Sequence, residues 1–205
     1  MSALPDRYVT LRASHRFEPM KIKGSRFIAC VAPIANEDDA SAFIGRVRAE
    51  FDDAGHVAWA WRLLPPEAYT RSSDDGEPSG SAGRPILKQI EGHDLFGVAA
   101  CVVRYFGGVK LGVGGLMRAY GGTAGQTLDR AEYREIEVRI ALRVEHPYSD
   151  SGAVQAVLAR YGVETRDAEY GQSVRFITDV PARTVSEFRS ALTDATRGRG
   201  SACNE

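Results

Sequence analysis

Apolar and polar positions change rhythm several times along the chain, and each change predicts an element. Ser25 to Ala32 reads as a strand. Beyond it Ala40, Phe43, Ile44, Val47 and Phe51 recur at helical spacing and define one buried face. Asn36 is placed to accept from the first free N–H groups of that helix. Glu37, Asp38 and Asp39 set negative charge at its positive dipole end, and Gly55 closes it. His56 to Trp61 reads as a second strand with Val57, Trp59 and Trp61 on one face. Tyr69 to Arg84 is polar and rich in Ser, Gly, Asp and Pro, the texture of a long loop. Pro85 opens a short helix carrying Ile86, Leu87 and Ile90 and stopped at Gly92. Leu95 to Arg104 is nearly all apolar, as in a strand covered on both faces. A helix is expected from about Gly115 to Ala131. Gly121, Gly122 and Gly125 lie inside it, each costing about 1 kcal/mol relative to alanine, which predicts a short or bent helix.

After Glu135 the texture changes. Ile136, Val138, Ile140, Leu142 and Val144 alternate with Glu137, Arg139, Ala141, Arg143 and Glu145, a half-exposed strand. A helix with Ala153, Val154, Val157, Leu158 and Tyr161 inward closes at Gly162. Two strands then flank Gly171-Gln172 as a hairpin, and a last helix carries Val185, Phe188 and Leu192. The order β-α-β-β-α fits a ferredoxin-like domain, although Gly198, Gly200 and the short tail leave little material for a closing strand. The expected organisation is α+β in two domains, residues 1–134 and 135–205.

Composition narrows the classes. The chain has 205 residues, 43% of them apolar, enough for a buried core. Lys+Arg 26 against Asp+Glu 27 leaves a net charge of -1, so an anionic partner would have to be held by a local patch. Cys30, Cys101 and Cys203 are odd in number and widely spaced, which suits neither a disulfide framework nor a zinc site. Met1 to Arg7 lacks the apolar stretch of a secretory leader, and Phe96 to Val103 is far short of the roughly 20 residues of a membrane span. A cytoplasmic protein away from the membrane is expected.

The segment with most chemical character is Gly97 to Leu128. It holds nine of the 21 glycines, three cations and no acid, so it can approach an anion without repelling it. Arg104, Lys110 and Arg118, with the backbone of Gly112, Gly114 and Gly115, form a candidate anion or nucleic-acid site at a strand-to-helix junction, where free N–H groups suit phosphate. The alternative is that these glycines only make a sharp turn and let a helix pack tightly. The third glycine of the dinucleotide fingerprint is absent, and Lys110 lacks the Walker context. Asp74, Asp75, Glu77 and Arg84 form a candidate accessory loop. Its acids read first as water-exposed turn residues, with a hard cation or pairing to the nearby cations as alternatives. His56 reads as structural, and no catalytic residue, metal site or cofactor emerges.

Ser73 to Leu87 (SDDGEPSGSAGRPIL) and Arg104 to Tyr120 (RYFGGVKLGVGGLMRAY) closely resemble the two signature blocks of the IMPACT/YigZ family. Ser25-Arg26-Phe27-Ile28 and Ala54-Gly55-His56 resemble weaker features of the same family. The resemblance covers most of residues 16–130. It implies a first domain with the fold of ribosomal protein S5 domain 2 and a ferredoxin-like second domain similar to one in an elongation factor. Eukaryotic IMPACT proteins regulate translation and carry an extra N-terminal domain for which this chain has no room. For this chain the resemblance implies a non-enzymatic translation regulator or accessory factor touching RNA, the ribosome or a protein partner through its first domain. The alternative is an enzyme acting on a phosphorylated small molecule at the glycine-rich loop, since small-molecule kinases share the S5-like fold. A pure protein-interaction module is the third reading.

Overall fold

A computed structural model describes residues 5–64 and 69–205; the opening Met1 to Leu4, part of the reading on a secretory leader, lies outside them. The chain is α+β and separates into two units. The first comprises residues 8–136. The second comprises residues 137–205, joined by residues 5–7. The division falls after Ile136.

In the first unit the strands are β1 (Arg7–Leu11), β2 (His15–Phe17), β3 (Arg26–Pro33), β4 (His56–Arg62), β5 (Thr70–Ser73), β6 (Val98–Tyr105) and β7 (Tyr133–Glu137). The helices are α1 (Glu37–Glu50), α2 (Gly83–Gly92) and α3 (Val113–Leu128). Five strands form one sheet in the order β2-β3-β6-β4-β5, and β1 pairs with β7 separately. Strand alternation sends side chains to two cores. Phe27, Ala29, Val31, Ala58, Ala60, Ala100 and Val102 face α2 and α3, meeting Ile86, Ile90, Leu116, Tyr120 and Leu128. Ile28, Cys30, Val57, Trp61, Cys101 and Val103 face α1, meeting Ala40, Phe43, Ile44 and Val47. A sheet covered on both faces explains why β6 is apolar from Val98 to Val103. Asn36 caps α1 by accepting from the Asp39 N–H at 2.8 Å.

Three expectations are corrected here. The polar stretch from Tyr69 begins with an edge strand, β5, pairing Ser73 with Trp59 and Arg71 with Trp61. Helix α3 runs unbroken for 16 residues despite its glycines. The reason is packing: a Cβ on Gly121 would sit 3.4 Å from Pro85 Cβ, and one on Gly125 would meet Gln89 Oε1 at 2.6 Å. The glycines let α2 approach, and the contact offsets their low propensity. The single strand anticipated from Ile136 to Glu145 is interrupted at Val138, between β7 and a separate strand that starts at Arg139.

The second unit comprises β8 (Arg139–Pro147), α4 (Ser151–Tyr161), β9 (Thr165–Tyr170), β10 (Ser173–Pro181), α5 (Val185–Ala195) and β11 (Ser201–Asn204). The sheet order β11-β8-β10-β9, antiparallel at every pairing, is the ferredoxin-like arrangement. Four residues after Gly200 do supply the closing strand, pairing Ala202 with Val144 and Cys203 with Arg143. Leu142, Val144, Val154, Leu158, Phe176, Phe188 and Leu192 fill its core. Among the described residues, no helix is long and apolar enough to cross a membrane.

Candidate anion-binding site

The acidic loop between β5 and α2 is an internal brace and not a set of water-exposed turn charges. The Asp74 carboxylate accepts from the N–H groups of Gly80 (2.7 Å), Ala82 (2.8 Å) and Gly83 (2.9 Å). Ala82 and Gly83 begin α2, so this carboxylate caps a helix whose own N-cap residue, Ala82, offers no acceptor. Burial works to raise the Asp74 carboxyl, and the three backbone donors outweigh it, so its pKa lies below the usual carboxylate value. Gly83 is required here, because a Cβ on it would fall 2.8 Å from the Ser73 backbone. Asp75 accepts from the Val57 N–H at 2.7 Å and pairs with Arg48. The His56 ring donates from Nδ1 to the Asp75 carbonyl at 2.8 Å, the structural role read from the sequence.

Glu77 is only 4% exposed at its side chain and Arg104 only 7%. Arg104 Nη1 donates to Glu77 Oε1 at 2.6 Å, and the Tyr120 hydroxyl donates to the same oxygen at 2.7 Å. Burial, then the Glu77 carboxylate, push the Tyr120 phenol well above its ordinary pKa, so it stays a neutral donor. The triad ties the loop to β6 and α3. Arg104 is thus turned inward onto an acid, whereas a phosphate contact needs it facing water. Among the described residues no three His, Cys, Asp or Glu side chains converge as metal ligands would.

The remaining candidates gather at the start of α3. Gly112 holds its N-cap position at φ 71°, a left-handed conformation that favours glycine. Leu116 N–H reaches back to the Gly112 carbonyl at 2.9 Å, the first bond of the helix. The N–H groups of Val113, Gly114 and Gly115 precede it, and no side chain among the described residues caps them. Lys110, Gly112, Gly114 and Arg118 are exposed and Gly115 is half-buried. Arg118 folds back over the helix start, with Nη1 3.7 Å from where a Gly114 Cβ would stand. Apart from Arg118, the turn is open to solvent at Gly112 and Gly114.

Sequence reasoning missed a groove beside it. Helices α2 and α3 enclose about 520 Å³ lined by Arg84, Lys88, Met117, Arg118 and Gly122 among others, with no acid in the lining. Arg84 and Lys88 stand four residues apart on one face of α2. Neither they, Lys110 nor Arg118 has an ion-pair partner among the described residues. The spacing Arg84-x-x-x-Lys88 within a helix was the available signal.

Comparison with known proteins decides the family. Residues 23–128 match the model of the Impact N-terminal domain, and residues 144–199 match a domain of unknown function (DUF1949). The chain belongs to the IMPACT family. It is 44% identical over 181 residues to the IMPACT family member in the pol 5' region of Thermus thermophilus, covering 87% of this chain and 97% of that one. It is 36% identical over 180 residues to IMPACT family member YigZ of Escherichia coli, covering 87% and 88%. A crystal structure described as that of a hypothetical protein superposes with a TM-score of 0.76 at 33% identity over 98% of both chains. The IMPACT-domain match spans both the acidic brace and the open helix start.

Proposed function

We propose that this IMPACT-family chain is a non-enzymatic accessory factor of translation, acting in the cytoplasm and holding RNA or the ribosome through its first unit. One observation carries the reading. The start of α3 leaves three amide donors uncapped beside Lys110 and Arg118, two exposed cations with no ion-pair partner among the described residues. Such a terminus attracts phosphate through its oriented N–H groups and its dipole. The translation role of eukaryotic relatives supports the choice of partner. The groove lining contributes cations, an amide and apolar surface but no carboxylate, histidine or thiol, which suits binding better than turnover.

The test is the salt dependence of binding to RNA and to ribosomes. Affinity should fall as salt rises, because phosphate neutralisation releases counterions. Replacing Lys110 and Arg118 with Ala should shallow the log–log slope by roughly 1.4 on a single strand, about 0.7 per lost contact. An unchanged affinity and slope in the folded double variant would remove this surface from the account.

A further inference from the structure

We infer that the groove between α2 and α3 seats an unstacked base of single-stranded RNA, a statement that rests on the RNA reading of the adjoining helix start. Phosphate alone does not explain this surface. Four of the nine exposed large apolar side chains among the described residues fall between Phe106 and Met117: Phe106, Val109, Val113 and Met117. Water-exposed apolar groups concentrated in one stretch mark a contact site. They alternate with Lys110 and Arg118, so the segment presents apolar and cationic groups side by side.

The groove repeats the same pairing. Met117 lies in it, and Val113 stands one turn earlier on the same helix face. Opposite them Arg84 and Lys88 supply charge from α2. Gly122 lines the groove and is exposed, and a Cβ on it would have no heavy atom within 4 Å, so the groove is open to solvent there. The volume, about 520 Å³, is within the range of small-ligand sites. Phe106, whose ring centre lies 5.4 Å from the Arg104 guanidinium, is 58% exposed and adds an aromatic surface.

A duplex cannot use this arrangement. Its bases are stacked inside, and A-form RNA offers phosphates and 2′-hydroxyls but no free base face. A single strand offers bases and phosphates in alternation, which matches apolar groups flanked by cations. An acidic, apolar peptide would satisfy the charges less well, because its carboxylates do not sit at the regular spacing of a phosphate backbone.

The experiment compares a short fluorescein-labelled single-stranded RNA with the same strand annealed to its complement, by anisotropy, on the full chain. Wild type should bind the single strand about tenfold tighter than the duplex. Gly122→Leu projects a side chain into the groove from its open edge with a better helix former, and should cost about tenfold on the single strand while leaving duplex binding unchanged. Lys110→Ala with Arg118→Ala should weaken both forms. If single strand and duplex bind equally and Gly122→Leu changes neither, the seated base is wrong while the RNA reading stands. If neither form binds, or an acidic peptide binds in their place, both fall.

Discussion

Helices α2 and α3 begin side by side in the sequence logic of the first unit and meet the shared problem of free amides in opposite ways. At α2, Asp74 reaches across the loop and collects Gly80, Ala82 and Gly83, while Pro85 has no N–H to satisfy. At α3, Val113, Gly114 and Gly115 are left without a side-chain cap and cations stand where an acid would. One terminus is complete within the fold; the other leaves its amides free and, under the proposed function, takes its anion from outside. An acidic loop and a basic loop in one domain thus differ in kind: the acids are structural and half-buried, the remaining cations are exposed and available.

The contrast breaks most visibly at Glu77. Glu77→Gln keeps the shape but leaves the Arg104 guanidinium buried without its counter-charge, at an expected cost of about 3–5 kcal/mol. Urea unfolding followed by tryptophan fluorescence reads it cleanly, because Trp59 and Trp61 both lie in the first unit. Lys110→Ala at the open end should stay within about 0.5 kcal/mol of wild type. Equal effects at the two positions would erase the distinction.

Asp74 gives the next largest effect. Asp74→Ala strands three backbone donors and should cost roughly 2–3 kcal/mol. Its folded pKa lies below the unfolded value of 3.8, so the ionised form contributes stability that is fully present above that value and is lost as pH falls through the lower folded one. The stability gap between wild type and Asp74→Asn should therefore close on acidification. A gap that widens towards low pH contradicts the assignment.

Alanine at the two helix starts sharpens the comparison further. Gly83→Ala drives a Cβ against the Ser73 backbone and should destabilise by roughly 1–3 kcal/mol. Gly114→Ala meets no such obstacle and should stabilise by about 1 kcal/mol through helix propensity. Thermal unfolding of the pair should give shifts of opposite sign.

Much of this was legible beforehand, for identifiable reasons. Period-two alternation gave β8 and the apolar run gave β6, because burial on one or both faces writes directly into residue order. The edge strand β5 was hidden, since Thr70 to Ser73 is polar and is made a strand by pairing with β4. The continuity of α3 was hidden as well: Gly121 and Gly125 are explained only by Pro85 and Gln89, more than thirty residues earlier. At the site, sequence order placed Lys110, Arg118 and the Gly112 turn together. It could not tell Arg104 from them, because the difference is a partner, Glu77, in another loop. The groove depends on two helices packing, and no local pattern carries that.

The central claim is that α3 begins with an anion site, and backbone amide resonances test it most directly. Wild type is titrated first with phosphate and then with single-stranded RNA, alongside Gly114→Asp. The variant places a carboxylate beside Arg118 and gives α3 the internal anion that α2 already has. The account predicts that Val113, Gly114 and Gly115 shift in wild type with both ligands, and that the corresponding amides of the folded variant stay silent. Silent amides in wild type, or identical shifts in the two proteins, would contradict it.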